Sequence, residues 1–179
     1  MTDFPYTLKD ATRDDLGTVR ELAEVIWRQH YPGIISEAQI DYMLERNYSM
    51  SALTAFIAEE GGGMLLACEQ QTPIGFAAYF ATDDMTEMQI DRLYVLPEHQ
   101  GKGVGHRLIE RIGEIARMAG FYSLTLNVNK QNKAAIAAYE RNGFRIRDSI
   151  VNDIGHGFVM DDYVMEKRLP RPLTSLSGA

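Results

Sequence analysis

The 179-residue chain is poor in cysteine and in basic residues. Its single cysteine, Cys68, excludes an internal disulfide and a cysteine-rich zinc site, and we predict that it is a small core residue. Lys and Arg number 18 against 25 Asp and Glu, which gives a net charge of −7. Non-specific nucleic-acid binding needs clustered positive charge, so this balance predicts no nucleic-acid partner and favours a cationic one.

The chain also lacks a long apolar run and a basic, apolar leader at its N-terminus. Its longest uncharged run, 70–82, is shorter than the ~18–20 residues that a membrane span needs. These absences predict a cytoplasmic protein with no membrane partner. His99, His106 and His156 lie in separate segments without a His or Cys partner at ligand spacing, so no metal site is predicted.

Hydrophobic periodicity predicts a single α/β domain. After a strand at YTLKDA, the capping-box pairs Thr12/Asp15 and Ser36/Gln39 each precede an apolar stripe of helical spacing. A third short helical stretch spans 53–57. The following elements are predicted in this order: an antiparallel meander at 64–70, 74–82 and 88–96, a helix from 104, a strand at 121–128, a helix at 135–139, and two strands at 144–153 and 157–169.

A glycine-rich loop separates the strand that ends at Pro97 from the helix that begins near Val104. Gly101, Gly103 and Gly105 let a ligand approach the main chain, and the start of the helix favours an anion. A tight turn needs only one such glycine, so three of them favour a phosphate site. The dinucleotide pattern G-x-G-x-x-G fails because its third glycine position falls on His106, and no phosphate-loop motif of NTPases occurs.

The segment from Gln100 to Gly105 resembles the Q/R-x-x-G-x-G/A signature of the GNAT superfamily of acetyl-CoA-dependent N-acetyltransferases. The pattern N-x-x-A-x-x-x-Y-x-x-x-G-F from Asn132 to Phe144 extends the resemblance, which covers about 86–147. It implies a GNAT fold: a mixed, mostly antiparallel sheet of about seven strands, with helices on both faces and splayed central strands that bind acetyl-CoA. It also implies one acetyltransferase domain over 1–170, followed by a flexible tail at 171–179.

The resemblance implies cofactor contacts residue by residue. The backbone of Leu93, Tyr94 and Val95 would bind the pantetheine arm of coenzyme A. Asn132 would contact the same arm, although a role as the N-cap of the following helix also explains it. The pyrophosphate would lie against the residues of the glycine-rich loop: Gln100, Gly101, Lys102, Gly103, Val104, Gly105 and His106.

Catalytic residues are also implied. Tyr139 occupies the family position whose hydroxyl protonates the leaving coenzyme A thiolate, although a tyrosine packed against the sheet is an alternative. The frequently catalytic glutamate of the family falls at Gln89. Glu87 and Asp91, which alternate with it onto one strand face, are therefore the candidate bases, with surface carboxylates and a water-mediated route as alternatives.

The acceptor residues are the least determined part of the site. Trp27, His30 and Tyr31, near the connection of the first two helices, are candidates. The last hairpin supplies Asp153, Asp161 and Asp162, of which Asp161 is the predicted acceptor residue. Two segments are similar to bacterial polyamine-type acetyltransferases, and with the acidity of the chain they favour a polyamine or another small-molecule or peptide amine. We expect direct attack of this amine in a ternary complex.

A second interpretation from a different class stays open. The chain could be a non-catalytic coenzyme A-binding sensor or assembly module that has kept the cofactor loop. The exposed edge of the final hairpin also predicts a homodimer.

Overall fold

The computed structural model describes residues 5–170, so the predicted tail at 171–179 lies outside the described residues. Within that range the chain forms seven strands and five helices. No helix among the described residues is long and apolar enough to cross a membrane. The elements are β1 Tyr6–Asp10, α1 Leu16–His30, α2 Glu37–Tyr48, α3 Met50–Ala58, β2 Gly62–Glu69, β3 Thr72–Ala81, β4 Glu87–Val95, α4 Val104–Met118, β5 Ser123–Asn129, α5 Lys133–Arg141, β6 Arg145–Gly155 and β7 Phe158–Arg168.

All seven strands belong to one sheet with the order β1-β2-β3-β4-β5-β7-β6. Neighbouring strands are antiparallel except β4 and β5, which are parallel. The mixed, mostly antiparallel seven-stranded sheet of the predicted fold is confirmed. β6 lies at an edge of the sheet, where Val151 is 65% exposed. A homodimer through this edge stays a prediction.

The pairing of β4 with β5 is short, and this shapes the molecule. It runs only from Glu87–Ser123 to Ile90–Leu126, after which β4 continues to Val95 and β5 to Asn129 without pairing to each other. The facing edges of the two strands therefore keep backbone N–H and C=O groups that the sheet does not satisfy. Such groups are available to a ligand that lies between the strands.

Helices cover both faces of the sheet, as predicted. α4 packs on one face through residues such as Leu108 and Ile112, while α1 to α3 pack on the other through Val19 and Leu53. Successive side chains of a strand point to opposite faces of the sheet. In the buried strands both sets of side chains are apolar, so both faces can pack against helices. Cys68 belongs to the second core, where it is 4% exposed and burial raises the pKa of its thiol, which confirms its predicted role.

Both predicted capping pairs make contacts at helix starts: Thr12/Asp15 closes a 3₁₀ turn at Arg13–Asp15 that leads into α1, and Ser36 caps α2. The Thr12 N–H donates to the Asp15 carboxylate at 2.9 Å, and the Ser36 hydroxyl oxygen accepts from the Gln39 N–H at 3.1 Å. The Gln39 side-chain amide instead donates to the carbonyl oxygen of Val159 at 3.2 Å. The second capping box is thus replaced by a tertiary contact, which ties α2 to β7.

Candidate active site

A cavity of about 770 Å³ opens where β4 and β5 stop pairing. Its size is within the ~300–1,000 Å³ typical of small-molecule sites. The residues 90–95 and 126–129 of the two strands line the gap itself. The glycine-rich loop, α4 and α5 border the cavity on one side, and α1, α2, β6 and β7 border it on the other. The gap therefore joins two lobes that lie on opposite faces of the sheet.

The glycine-rich loop forms an open anion cradle at the start of α4. Gly101 and Gly103 have φ angles of +72° and +87°, a region that favours glycine. Gly103 is the N-cap of the 15-residue α4 and has no side chain to cap it, so the first amides of the helix stay available. The Gln100 side-chain amide donates to the Val95 carbonyl oxygen at 3.0 Å and fixes the loop to the end of β4. These features fit a diphosphate.

The structure brings most of the predicted cofactor residues together. Two residues of the predicted set, Lys102 and Val104, are not among the lining residues, because Lys102 is exposed and the Val104 side chain is buried in the α4 core. The predicted residues that line the cavity are Leu93, Tyr94, Val95, Gln100, Gly101, Gly103, Gly105, His106 and Asn132.

Asn132 links the two lobes. Its side-chain oxygen accepts a hydrogen bond from the Ala135 N–H at 3.3 Å, so it caps α5 as predicted. The same oxygen lies 3.1 Å from His30 Nε2, at the end of α1. Because an amide oxygen only accepts, this contact requires the tautomer of His30 with the proton on Nε2. The bond holds the C-terminal end of α1 next to the start of α5.

Three tyrosine side chains meet at the gap. The hydroxyl oxygens of Tyr31 and Tyr94 are 3.1 Å apart, and both residues line the cavity with Tyr139. Burial raises the pKa of Tyr31 to about 12 and the pKa of Tyr94 and Tyr139 well above their usual range. All three therefore keep their protons at neutral pH and can donate hydrogen bonds. The Tyr139 ring also packs edge-on against the Phe144 ring, with 5.8 Å between the ring centroids.

Trp27 backs this cluster. Its ring centroid lies 4.3 Å from that of Tyr31 and 5.8 Å from that of Tyr94, and the residue is only 3% exposed. Trp27 and Tyr31 both line the cavity, and their contact with an acceptor stays a prediction. Their burial also makes them part of the core between α1 and the sheet.

The structure separates the two candidate bases on β4. A β-bulge leaves Asp91 without a partner between the pairs Ala78–Arg92 and Tyr79–Ile90. Asp91 lines the cavity, and partial burial raises the pKa of its carboxyl although Arg92 lowers it.

Glu87 lies outside the cavity lining and forms an ion pair with Arg147 of β6. This pairing commits the Glu87 carboxylate to a contact between distant strands. The structure therefore does not bring Glu87 to the site.

Arg92 is a site residue that the sequence reasoning missed. Its guanidinium carbon lies 5.1 Å from the ring centroid of Tyr48 and 4.6 Å from that of Phe56, and its Nε is 3.2 Å from Asp91 Oδ2. Its Nη1 is buried and has no hydrogen-bond partner among the described residues. Since Arg92 lines the cavity, this nitrogen can donate to an oxygen of a ligand.

Asp162 lines the cavity, whereas the predicted Asp161 does not. Tyr163 and Met165 pack on the α4 side of the sheet, so alternation places Asp161 on that side and Asp162 on the side of α1 and α2. Asp161 instead pairs with Lys130, and 57% of its side-chain surface is exposed. The apolar residues on both faces of β7 left this parity undecided in the sequence.

Comparison with known proteins agrees with this geometry. The sequence model of the acetyltransferase (GNAT) family matches residues 19–144. The chain belongs to the GNAT family. This GNAT chain is 29% identical to a spermidine N(1)-acetyltransferase of Thermoplasma acidophilum over 159 residues, which are 87% of this chain and 92% of that protein. It is 33% identical to the peptidyl-lysine N-acetyltransferase YjaB of Salmonella typhimurium over 88 residues, 49% of this chain and 53% of that protein.

A solved structure gives the same result for the fold. The crystal structure of the PaiA N-acetyltransferase from Thermoplasma acidophilum, in complex with coenzyme A, matches with a TM-score of 0.79 and 28% identity. The match covers 91% of this chain and 98% of that one. This GNAT protein is therefore an N-acetyltransferase whose cofactor is acetyl-CoA, and the anion cradle at α4 fits the diphosphate of coenzyme A.

Proposed function

We propose that this enzyme transfers an acetyl group from acetyl-CoA directly to a primary amine of a cationic small molecule. Polyamines are the favoured class of acceptor. The observation that carries the proposal is the cavity that joins the glycine-rich loop on one face of the sheet to an aromatic lobe on the other, whose lining includes the carboxylates of Asp91 and Asp162 beside Arg46 and Arg92. Both substrates can meet in the gap between β4 and β5. Cys68, the only cysteine, is buried outside the cavity lining, which supports transfer without an acetylated cysteine.

Each lobe has a distinct task in this proposal. Acetyl-CoA supplies an acetyl group that is activated as a thioester. The amides at the start of α4 bind its diphosphate, and the free edge of β4 from Leu93 to Val95 binds the amide groups of its pantetheine arm as a neighbouring strand would. Tyr139 would give its hydroxyl proton to the departing sulfur and take up the proton that the attacking nitrogen loses, because burial disfavours a charged phenolate.

An acceptor amine must also lose a proton before it attacks. An alkylammonium ion has a pKa near ~10.4, so only about one molecule in a few thousand is neutral at pH 7. Asp91 is the β4 carboxylate that supports this step, directly or through water, since it lines the cavity and its pKa is raised by burial. Glu87 has no part in the proposal because its ion pair holds it elsewhere.

Three observations support a polyamine acceptor. Asp91 and Asp162 place two carboxylates in the lining of the acceptor lobe, where aliphatic ammonium groups would be attracted. The spermidine N(1)-acetyltransferase covers almost the whole chain at 29% identity. The net charge of −7 further favours the approach of a polycation.

A second acceptor class is favoured by Arg92. A polyamine has no oxygen that could accept a hydrogen bond from the unpartnered Nη1. The amino group of an amino acid or a peptide would bring a carbonyl or carboxylate oxygen with it, and such an oxygen could pair with the Arg92 guanidinium. Peptide and amino-acid amines are therefore the competing candidates.

The test is thiol release from acetyl-CoA by the purified protein across spermidine, spermine, simple monoamines, amino acids and short peptides. Each reaction is compared with an enzyme-free control, and the acetylated product is identified by mass spectrometry. Release with spermidine or spermine above all other amines supports the proposal. Release only with amino acids or peptides supports the second class. Coenzyme A binding without release for any amine would favour the sensor interpretation.

A further inference from the structure

Asp162 is the most unusual polar residue of the cavity. It lies within β7, opposite Asn129 of β5 and Ile150 of β6, and is only 6% exposed. Its Oδ1 atom is buried and has no hydrogen-bond partner among residues 5–170. A buried carboxylate oxygen without a partner is costly, and this one belongs to a residue that lines the cavity. Its position suits a donor that arrives with a ligand.

The charges around Asp162 leave it available for such a donor. Asp161 precedes it on β7, Lys130 follows the end of β5, and Tyr31 follows the end of α1. Lys130 forms an ion pair with Asp161, and its Nζ lies 5.5 Å from the ring centroid of Tyr163. Burial and the charge of Asp161 raise the pKa of Asp162 to about 6, against a smaller opposing effect of Lys130. The Asp162 carboxyl is thus mostly ionised at neutral pH.

Asp162 also lies next to the gap between β4 and β5, since it pairs with Asn129 of β5, which lines that gap, and lines the same cavity itself. Its charge is close enough to contribute to the raised pKa of Tyr31, after burial. The Tyr31 hydroxyl oxygen is 3.1 Å from that of Tyr94, and Tyr31 in turn contributes to the raised pKa of Tyr139. The Asp162 carboxylate thus interacts electrostatically with Tyr31, and Tyr31 does so with Tyr139, whose hydroxyl is proposed to protonate the thiolate.

We infer that Asp162 Oδ1 binds the ammonium group that becomes acetylated, rather than a distant amino group of the acceptor. An ammonium ion supplies three N–H donors and a positive charge, which together satisfy a buried anionic oxygen. The inference rests on the proposed function only in that the acceptor is an amine. It adds a residue of β7 that fixes the reacting nitrogen at the gap between β4 and β5.

The Asp162→Asn variant tests this contact, because it keeps the shape of the side chain and removes its charge. KM is measured for spermidine and for n-butylamine, which has a single amino group. Loss of a buried charged partner is expected to raise KM about 30-fold or more for both amines, while the Kd for coenzyme A stays unchanged. Asp148→Asn is the matched control, because Asp148 is an exposed carboxylate on β6 outside the cavity lining, and this variant should keep both KM values.

The wild-type enzyme provides a second readout that a structural role would not produce. KM for n-butylamine should rise as the pH falls below about 6, since protonation removes the charge of Asp162. Asp91 lines the same cavity and its pKa is also raised, so the part of the acid limb that Asp162→Asn removes is the part that belongs to Asp162. Because the limb is measured on the unmodified enzyme, it tests the inference even if the variant folds poorly.

Two outcomes would overturn the inference. If Asp162→Asn impairs spermidine but not n-butylamine, Asp162 binds a distant amino group instead. If KM changes for neither amine and the wild-type enzyme shows no acid limb, Asp162 does not contact the acceptor. Should no amine be acetylated, calorimetry of n-butylammonium with the coenzyme A-loaded protein separates the two failures: binding that Asp162→Asn abolishes supports the contact, and no binding to the wild type refutes it.

Discussion

The unpartnered carboxylate of Asp162 predicts a stability cost that depends on pH. The pKa of this carboxyl rises from its ordinary value of 3.8 to about 6 in the folded protein, mainly because of burial. Between these two values the folded chain keeps a proton that the unfolded chain loses. The free energy of unfolding therefore decreases as the pH rises through this window, and the cost is complete above a pH of about 6.

The magnitude follows from the same two pKa values. A rise from 3.8 to about 6 corresponds to about 3 kcal/mol of lost stability once the carboxyl is ionised. Asparagine cannot ionise, so the Asp162→Asn variant escapes this cost. Its stability relative to the wild type should increase by about 3 kcal/mol from acid to neutral pH, which is roughly 6–12 °C in Tm for a chain of this size.

Thermal unfolding followed by circular dichroism near pH 4 and near pH 7 measures this difference. Other carboxylates titrate in the same range, but their effects cancel when the variant is compared with the wild type at each pH. Asp148→Asn, at an exposed position, should show no such change between the two pH values. A Tm difference for Asp162→Asn that is independent of pH, or that shrinks towards neutral pH, would refute the reasoning.

Three further variants test the rest of the site. Tyr139→Phe keeps the ring against Phe144 and should lower kcat about 100-fold with little change in the KM for acetyl-CoA; an unchanged kcat would refute the proton-donor role. Gly105→Ala places a methyl group in the cavity lining at the first turn of α4, with only an ordinary 3.8 Å contact to Leu93, so calorimetry should show coenzyme A binding about tenfold weaker while Tm does not fall. Arg92→Met should raise the KM for amino acids and peptides more than the KM for n-butylamine, because loss of the ion pair with Asp91 affects every amine whereas loss of an oxygen contact affects only the first group; equal effects on both would exclude an oxygen contact.

The conformation of the glycine-rich loop and of the Asn132 cap could be predicted because its signals are local. Each of these features depends on a short stretch of neighbouring residues. They are the positive φ angles of Gly101 and Gly103, the uncapped start of α4 and, in a separate stretch, the Asn132 cap. Local sequence therefore carries nearly all of the anion cradle. Only the outward side chain of Lys102 and the inward one of Val104 departed from the expected lining.

The acceptor half depends on strand register, which the sequence does not state. Whether Asp161 or Asp162 faces the cavity is decided by the pairing of β7 with β5 and β6, whose residues are distant in the chain. The bulge at Asp91 and the ion pair of Glu87 with Arg147 are likewise set by neighbouring strands. A shift of one residue reverses the side that each of these side chains faces, so a local pattern cannot place them.

The central claim is direct transfer between two substrates that meet in the gap between β4 and β5. Initial velocities of thiol release, measured while acetyl-CoA and the accepted amine are both varied, test it most directly. The account predicts intersecting double-reciprocal lines and no acetylated protein after incubation with acetyl-CoA alone. Parallel lines, together with an acetyl adduct on the protein, would show a covalent intermediate and contradict the account.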